Sequence, residues 1–213
     1  MEKNRLNELL SAVEKLKRSE IKDLVEARLK EFRANREKSS REIFKELCFC
    51  ILTANFNAER CIKISEELGE DVLNIPEAEL NIRLKALGHR YPKTRAKYIM
   101  EARKYAYSLK SIIEKFEEGK KLRKWLVENI KGLGYKEASH FLRNIGFTNL
   151  AIIDFHIINL LVNYGLIEKP KTITRKKYLE IEGLLREIAD KLDLNLAELD
   201  LYLWYLETSK VLK

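Results

Sequence analysis

The 213-residue sequence contains no glutamine at all, although 35% of its residues are charged. Side-chain amides are thermolabile, and ion pairs gain relative value as temperature rises. That combination predicts a protein with a high melting temperature. Cysteine is also scarce. Cys48, Cys50 and Cys61 are three, an odd number, which excludes a disulfide framework and points to buried thiols in a reducing compartment. Cys48-x-Cys50 is a poor metal spacing, and no four-cysteine cluster occurs near the end of the sequence, so no iron–sulfur cluster is expected. Three prolines and eight glycines leave no low-complexity linker, and there is no internal repeat. No apolar run approaches the ~20 residues that a membrane-spanning helix requires. The opening segment MEKNRLNELL is polar and charged, so no signal peptide is read; a cytoplasmic, nucleoid-associated prokaryotic protein is expected. Alternation of period two is missing throughout, which removes strands and predicts an all-α chain.

Positive charge is what the sequence has in excess. Lys and Arg number 41 against 33 Asp and Glu, a formal net charge of +8, with pI about 9.2. Such a balance favours a polyanionic partner without separating DNA from RNA or a membrane surface.

Apolar residues recur at helical spacing along the whole chain. Leu6, Leu9, Leu10, Val13 and Leu16 form one stripe, and Ser19 can cap a second helix running to about residue 36. Ser39-Ser40 open REIFKELCFCILTA, the most apolar helix. It ends at Thr53-Ala54-Asn55-Phe56-Asn57, followed by AERCIKISEELG. Pro76 begins a short helix that Gly88 terminates. The run His89-Arg90-Tyr91-Pro92-Lys93-Thr94-Arg95 is basic with interleaved aromatics, and leads into a helix expected to reach about residue 109. A charge run of this kind reads equally as backbone contact with nucleic acid or as simple solubility. Residues 174–191 form an amphipathic helix, and Asn195 caps the last one.

The stretch that organises the chain is residues 125–164. Leu126, Val127 and Ile130 give one helix face, and Ala138, Phe141, Leu142 and Ile145 give a second. Lys131-Gly132-Leu133-Gly134 lies between them. The glycines permit positive φ and close backbone approach. A helix start after such a turn offers N–H groups and the positive dipole end to an anion. Lys136 is expected one turn into the second helix, and Asp154 opens a third, 154 − 136 = 18 residues on. Taken singly, Lys136 could be an ordinary exposed lysine, Asp154 only an N-cap, and His156 a structural hydrogen-bonder.

Taken together and in this order, Gly132, Gly134, Lys136, Asp154 and His156 resemble the helix-hairpin-helix DNA glycosylases with a Gly/Pro–Asp loop. Those enzymes carry an x-G-x-G hairpin, a lysine two residues later in bifunctional members, and an aspartate within a hydrophobic–Asp–x–His sequence. One departure is that Ile153 stands where the family usually has valine after a proline. The resemblance implies a two-lobed all-α fold with a central cleft. Residues 38–148 would form a central lobe, with 1–37 and 149–213 together forming the other. It further implies that Lys136 attacks the sugar C1′, that Asp154 supplies negative charge beside it, and that Gly132, Gly134, His156 and Arg90 meet the DNA backbone. Asn55 and Phe56 match in kind the pair that enters the duplex, the first filling the hole left by the extruded base; the alternative is a plain helix connection with Phe56 in the core. Tyr91 is a stacking partner for that base.

The ending Trp204-x8-Lys213, with 213 − 204 = 9, looks most similar to the second type of archaeal and bacterial 8-oxoguanine DNA glycosylase/lyase. There the terminal lysine recognises the lesion and the aromatic lines its pocket. Oxidation converts guanine N7 from acceptor to N–H donor, so an acceptor at that point, such as a free terminal carboxylate, rewards the damaged base. The ordinary alternative is a frayed terminus with Trp204 in the core. The implied activity is excision of 8-oxoguanine through a lysine Schiff base and β-elimination on damaged double-stranded DNA, by a monomer without a cofactor or catalytic metal. A structural monovalent cation at hairpin carbonyls around residues 130–135 is part of the expectation. Rival readings are a glycosylase/lyase for other oxidised bases or for mismatched adenine, and a non-catalytic helix-hairpin-helix DNA-binding module.

Overall fold

The computed structural model describes the chain from Glu2 to Lys213, with side chains from Arg5 onward; Met1 lies outside the described residues. Among those residues every regular element is helical and there is no strand. In chain order the α-helices are α1 (Glu2–Lys17), α2 (Ile21–Arg36), α3 (Ser40–Thr53), α4 (Ala58–Leu68), α5 (Glu77–Ala86) and α6 (Pro92–Ala102). They continue as α7 (Leu109–Ile113), α8 (Gly119–Asn129), α9 (Tyr135–Asn144), α10 (Phe155–Asn163), α11 (Arg175–Lys191) and α12 (Leu196–Thr208). Short 3₁₀ turns occupy Gly69–Leu73 and Arg103–Tyr105.

Two compact units result. One comprises residues 34–145, the other residues 1–33 with 146–213. In the first, α3 is the axis. Ser39 caps it by accepting the Glu42 amide at 3.3 Å, and from Phe44 to Ala54 all but Lys45 and Glu46 are buried. A helix apolar on all sides must be wrapped, and α4, α6, α7 and α9 pack against it. In the second unit α12 plays that part, packed by α1, α10 and α11. Its start is closed by a capping box: Asn195 accepts the Ala197 and Glu198 amides, and Glu198 accepts the Asn195 amide at 2.8 Å.

Two expectations about helix limits are corrected. The basic run does not precede its helix but opens it, since Pro92 is already helical and Tyr91 is the N-cap; proline is preorganised for a first helical turn. That helix also stops at Ala102 rather than near 109. There the chain tightens into 3₁₀ geometry, and the Arg103 guanidinium turns inward to donate to the carbonyls of Val72 at 3.0 Å and Ile75 at 2.5 Å. Secondly, Lys136 is the second residue of α9, inside its first turn rather than one turn along.

Candidate active site

The hairpin of the first unit joins α8 to α9. Ile130 and Leu133 are buried anchors on either side of the turn. Gly132 has φ 89°, and a Cβ placed on it would stand 2.3 Å from the Tyr98 ring. That glycine is required twice over, by backbone conformation and by the closeness of Tyr98. Gly134 differs: it is extended at φ −89° and caps α9. Its amide is not open to a ligand as the sequence suggested, because the Glu137 carboxylate accepts it at 3.2 Å. Lys136 follows, its side chain 23% exposed and its Nζ 3.8 Å from Glu137. Behind the hairpin the Arg123 guanidinium is buried, 4.9 Å from the Tyr135 ring centroid, and donates to Ser139 Oγ at 3.1 Å. A cation this deep is tolerated because ring and hydroxyl replace its water.

Lys136 and Arg95 both act electrostatically on the Cys61 thiol, yet burial dominates and pushes that thiol up to about 12. Arg95 itself is buried, and its guanidinium is held below its ordinary value by desolvation, opposed by the nearby Glu137 carboxylate. Arg95 lies 5.7 Å from the Tyr91 ring and 5.8 Å from that of Tyr98, and Arg90 lies 5.2 Å from the Tyr91 ring. Tyr91 is thus a partly exposed ring with two guanidinium groups near it, one of them the buried Arg95. Asn55 is exposed with φ 56°, a left-handed conformation that asparagine tolerates better than most residues. Phe56 is half-buried, neither fully in the core nor free, with its ring 4.3 Å from that of His89.

In the second unit, Asp154 follows a non-helical segment, residues 150–153, whose side chains are all buried. This segment is strapped to α11. Glu182 accepts the Ala151 amide at 3.1 Å, and the Tyr178 hydroxyl donates to the Ala151 carbonyl at 2.7 Å while accepting the Ile153 amide at 3.4 Å. The chain then enters α10, and the Asp154 carboxylate accepts the Ile157 amide at 3.0 Å. Asp154 is therefore an N-cap in fact, with a second carboxylate oxygen for other work. Next to it Phe155 stands 65% exposed. His156 sits between aromatic rings, 3.8 Å from Phe155 and 4.6 Å from Trp204, with Nδ1 4.0 Å from Glu207. Trp204 is half-buried, and its Nε1 is shielded with no hydrogen-bond partner among the described residues. After α12 ends in a left-handed Ser209, Lys213 lies partly exposed. Sequence reasoning did not find Tyr178 and Glu182, which lack any local motif, nor the exposed Phe155, which the hydrophobic–Asp–x–His pattern leaves unspecified.

Among the described residues no group of three His, Cys, Asp or Glu side chains could hold a metal ion, and no helix is long and apolar enough to cross a membrane.

A glycine hairpin opening on a lysine, in an all-helical chain with a buried strap ending in an N-capping aspartate, defines a helix-hairpin-helix protein. The model of the 8-oxoguanine DNA glycosylase family matches residues 25–194. The 8-oxoguanine DNA glycosylase/AP lyase of Korarchaeum cryptofilum is 54% identical over 209 residues, spanning 98% of this chain and 99% of the relative. The crystal structure of the Methanocaldococcus jannaschii 8-oxoguanine glycosylase/lyase in complex with 15mer DNA containing 8-oxoguanine matches with TM-score 0.94 at 54% identity, covering 96% of this chain and 99% of that one. The Thermotoga maritima 8-oxoguanine DNA glycosylase matches with TM-score 0.92 at 43% identity, covering 98% and 100%. The chain belongs to the 8-oxoguanine DNA glycosylase family.

Proposed function

We propose that the protein is a bifunctional base-excision repair enzyme that removes 8-oxoguanine from double-stranded DNA and then cuts the strand. The observation carrying this reading is Lys136 in the first turn of the hairpin's second helix, in a chain alike over nearly its whole length to 8-oxoguanine DNA glycosylase/AP lyases. The damaged nucleotide is extruded from the duplex. The Lys136 amine attacks C1′, and the C1′–N9 bond breaks with its electron pair leaving on the base. Asp154 carries negative charge for the cationic sugar and takes part in removing the proton from the attacking amine. The aminal opens to a Schiff base, loss of a C2′ proton follows, and the 3′ C–O bond breaks by β-elimination. No metal or cofactor enters these steps.

The remaining assignments belong to the same reading. Tyr91 and Trp204 stack on or line the base, and Lys213 reads the lesion. Asn55 fills the space the nucleotide leaves and Phe56 wedges between bases of the opposite strand, which offsets an unstacking cost of a few kcal/mol. Gly132, Arg90 and His156 meet phosphates, whereas Gly134, whose amide is taken by Glu137, serves as the cap of α9. Backbone carbonyls around residues 130–135 are an all-oxygen donor set that would hold a hard monovalent cation, which would supply positive charge for a phosphate. The enzyme acts as a cytoplasmic monomer. The test is a panel of duplexes bearing 8-oxoguanine, oxidised pyrimidines or mismatched adenine, with products separated before and after alkali. Cleavage before alkali on the 8-oxoguanine duplex supports the reading; its absence there, with cutting of another duplex, overturns it.

A further inference from the structure

His89 lies between α5 and α6 and is only 4% exposed. Its Nε2 is 3.0 Å from the Leu52 carbonyl, and its Nδ1 is 3.0 Å from the Tyr91 amide. An amide can only donate, so Nδ1 is bare, and the ring proton sits on Nε2 and goes to Leu52. Phe56 rests against the same ring at 4.3 Å with a tilt of 36°. A second tie runs parallel to the first, from Arg95 Nη2 to the Ala54 carbonyl at 2.5 Å. Residues 52–54 are therefore bound at two points, Leu52 and Ala54, to residues 89–95, and the left-handed Asn55 (φ 56°) follows directly, between Ala54 and the Phe56 ring on His89.

We propose that His89 is a positioning residue, whose neutral imidazole holds the Asn55–Phe56 turn and Tyr91 in one fixed relation so that entry into the duplex and reception of the extruded base are coupled. This rests on the roles proposed above for those three residues. Protonation would put a proton on Nδ1 facing the Tyr91 N–H, and the tie would break. The ring faces the Leu52 carbonyl from α3, Phe56 from the loop, and from α6 the positive charge of Arg95. Burial first, then Arg95, holds its pKa below the ordinary histidine value, while the Leu52 carbonyl opposes them. The coupling is therefore intact at neutral pH and fails only in acid.

Single-turnover excision is measured on two substrates: 8-oxoguanine opposite a base in a full duplex, and 8-oxoguanine opposite an abasic spacer, where no partner base has to be held apart. His89→Asn keeps an acceptor near Nδ1, and His89→Gln keeps a donor near Nε2. Each should lose roughly tenfold or more on the full duplex and under about threefold on the spacer duplex. Undiminished excision on the full duplex overturns the proposal, and so does an equal loss on both substrates, the mark of a merely structural role. The wild-type protein gives an independent arm. The full-duplex to spacer-duplex rate ratio should fall as imidazole NMR reports His89 protonation, because chemistry common to both substrates cancels in the ratio. A ratio that stays flat through that titration also overturns the proposal. Wild-type protein inactive on both substrates at neutral pH would instead refute the 8-oxoguanine reading itself.

Discussion

The Asp154 carboxylate accepts the Ile157 amide at 3.0 Å, so the side chain proposed to carry the charge that the chemistry needs also starts α10. The two roles can be separated. Asparagine caps a helix about as well as aspartate, and alanine in that position costs ~1 kcal/mol. Asp154→Asn should therefore melt within a degree or two of wild type while excision falls by about a hundredfold or more. Asp154→Ala should lose both activity and several degrees. Thermal melts beside single-turnover rates check this, and an active Asp154→Asn protein would leave the residue as a cap only.

The two hairpin glycines should respond differently to alanine. At Gly132 the new Cβ meets the Tyr98 ring at 2.3 Å with φ 89°, so ring and backbone must both shift, at a cost of about 1–3 kcal/mol. At Gly134 the nearest atom is the Glu137 carboxylate oxygen at 3.2 Å, the far end of a flexible side chain. Gly132→Ala should lower the melting temperature and weaken DNA binding more than Gly134→Ala does. Melting curves and a binding titration at fixed salt measure both.

The cysteines should be silent in the native protein. All three are buried and none is in a disulfide. Burial pushes the Cys61 thiol up to about 12 and raises Cys48 further still, so neither forms thiolate near neutrality. A disulfide-exchange reagent at pH 8 should label none of the three until denaturant is added, and then all of them. Rapid native labelling would contradict the packing around α3 and α4.

Much of this architecture was legible in local pattern. Leu126 and Ile130, and then Ala138, Phe141, Leu142 and Ile145, are all buried where helical periodicity put them. Ser39, Asn195 and Asp154 cap the helices they were expected to open. These features depend on residues three or four apart, and such contacts leave a visible period. The strap that holds Asp154 left no trace, because Tyr178 and Glu182 reach Ile153 and Ala151 across 25 and 31 residues. His89 escaped for the same reason: its Leu52 partner is 37 residues away. The early end of α6 was hidden because Arg103 continues the helical pattern while its side chain answers to Val72 and Ile75. Phe56 fell between its two readings, since stacking on His89 half-buries it.

The most direct test is borohydride trapping on an 8-oxoguanine duplex. Reduction converts a Schiff base into a permanent protein–DNA bond, so the adduct reports the attacking amine itself rather than downstream cleavage. Wild-type protein should give a covalent adduct, and Lys136→Gln, which keeps the length of the side chain near that of the original without its amine, should give none while remaining folded and able to bind DNA. An adduct of undiminished yield with Lys136→Gln, or no adduct with active wild-type protein, would contradict the assignment.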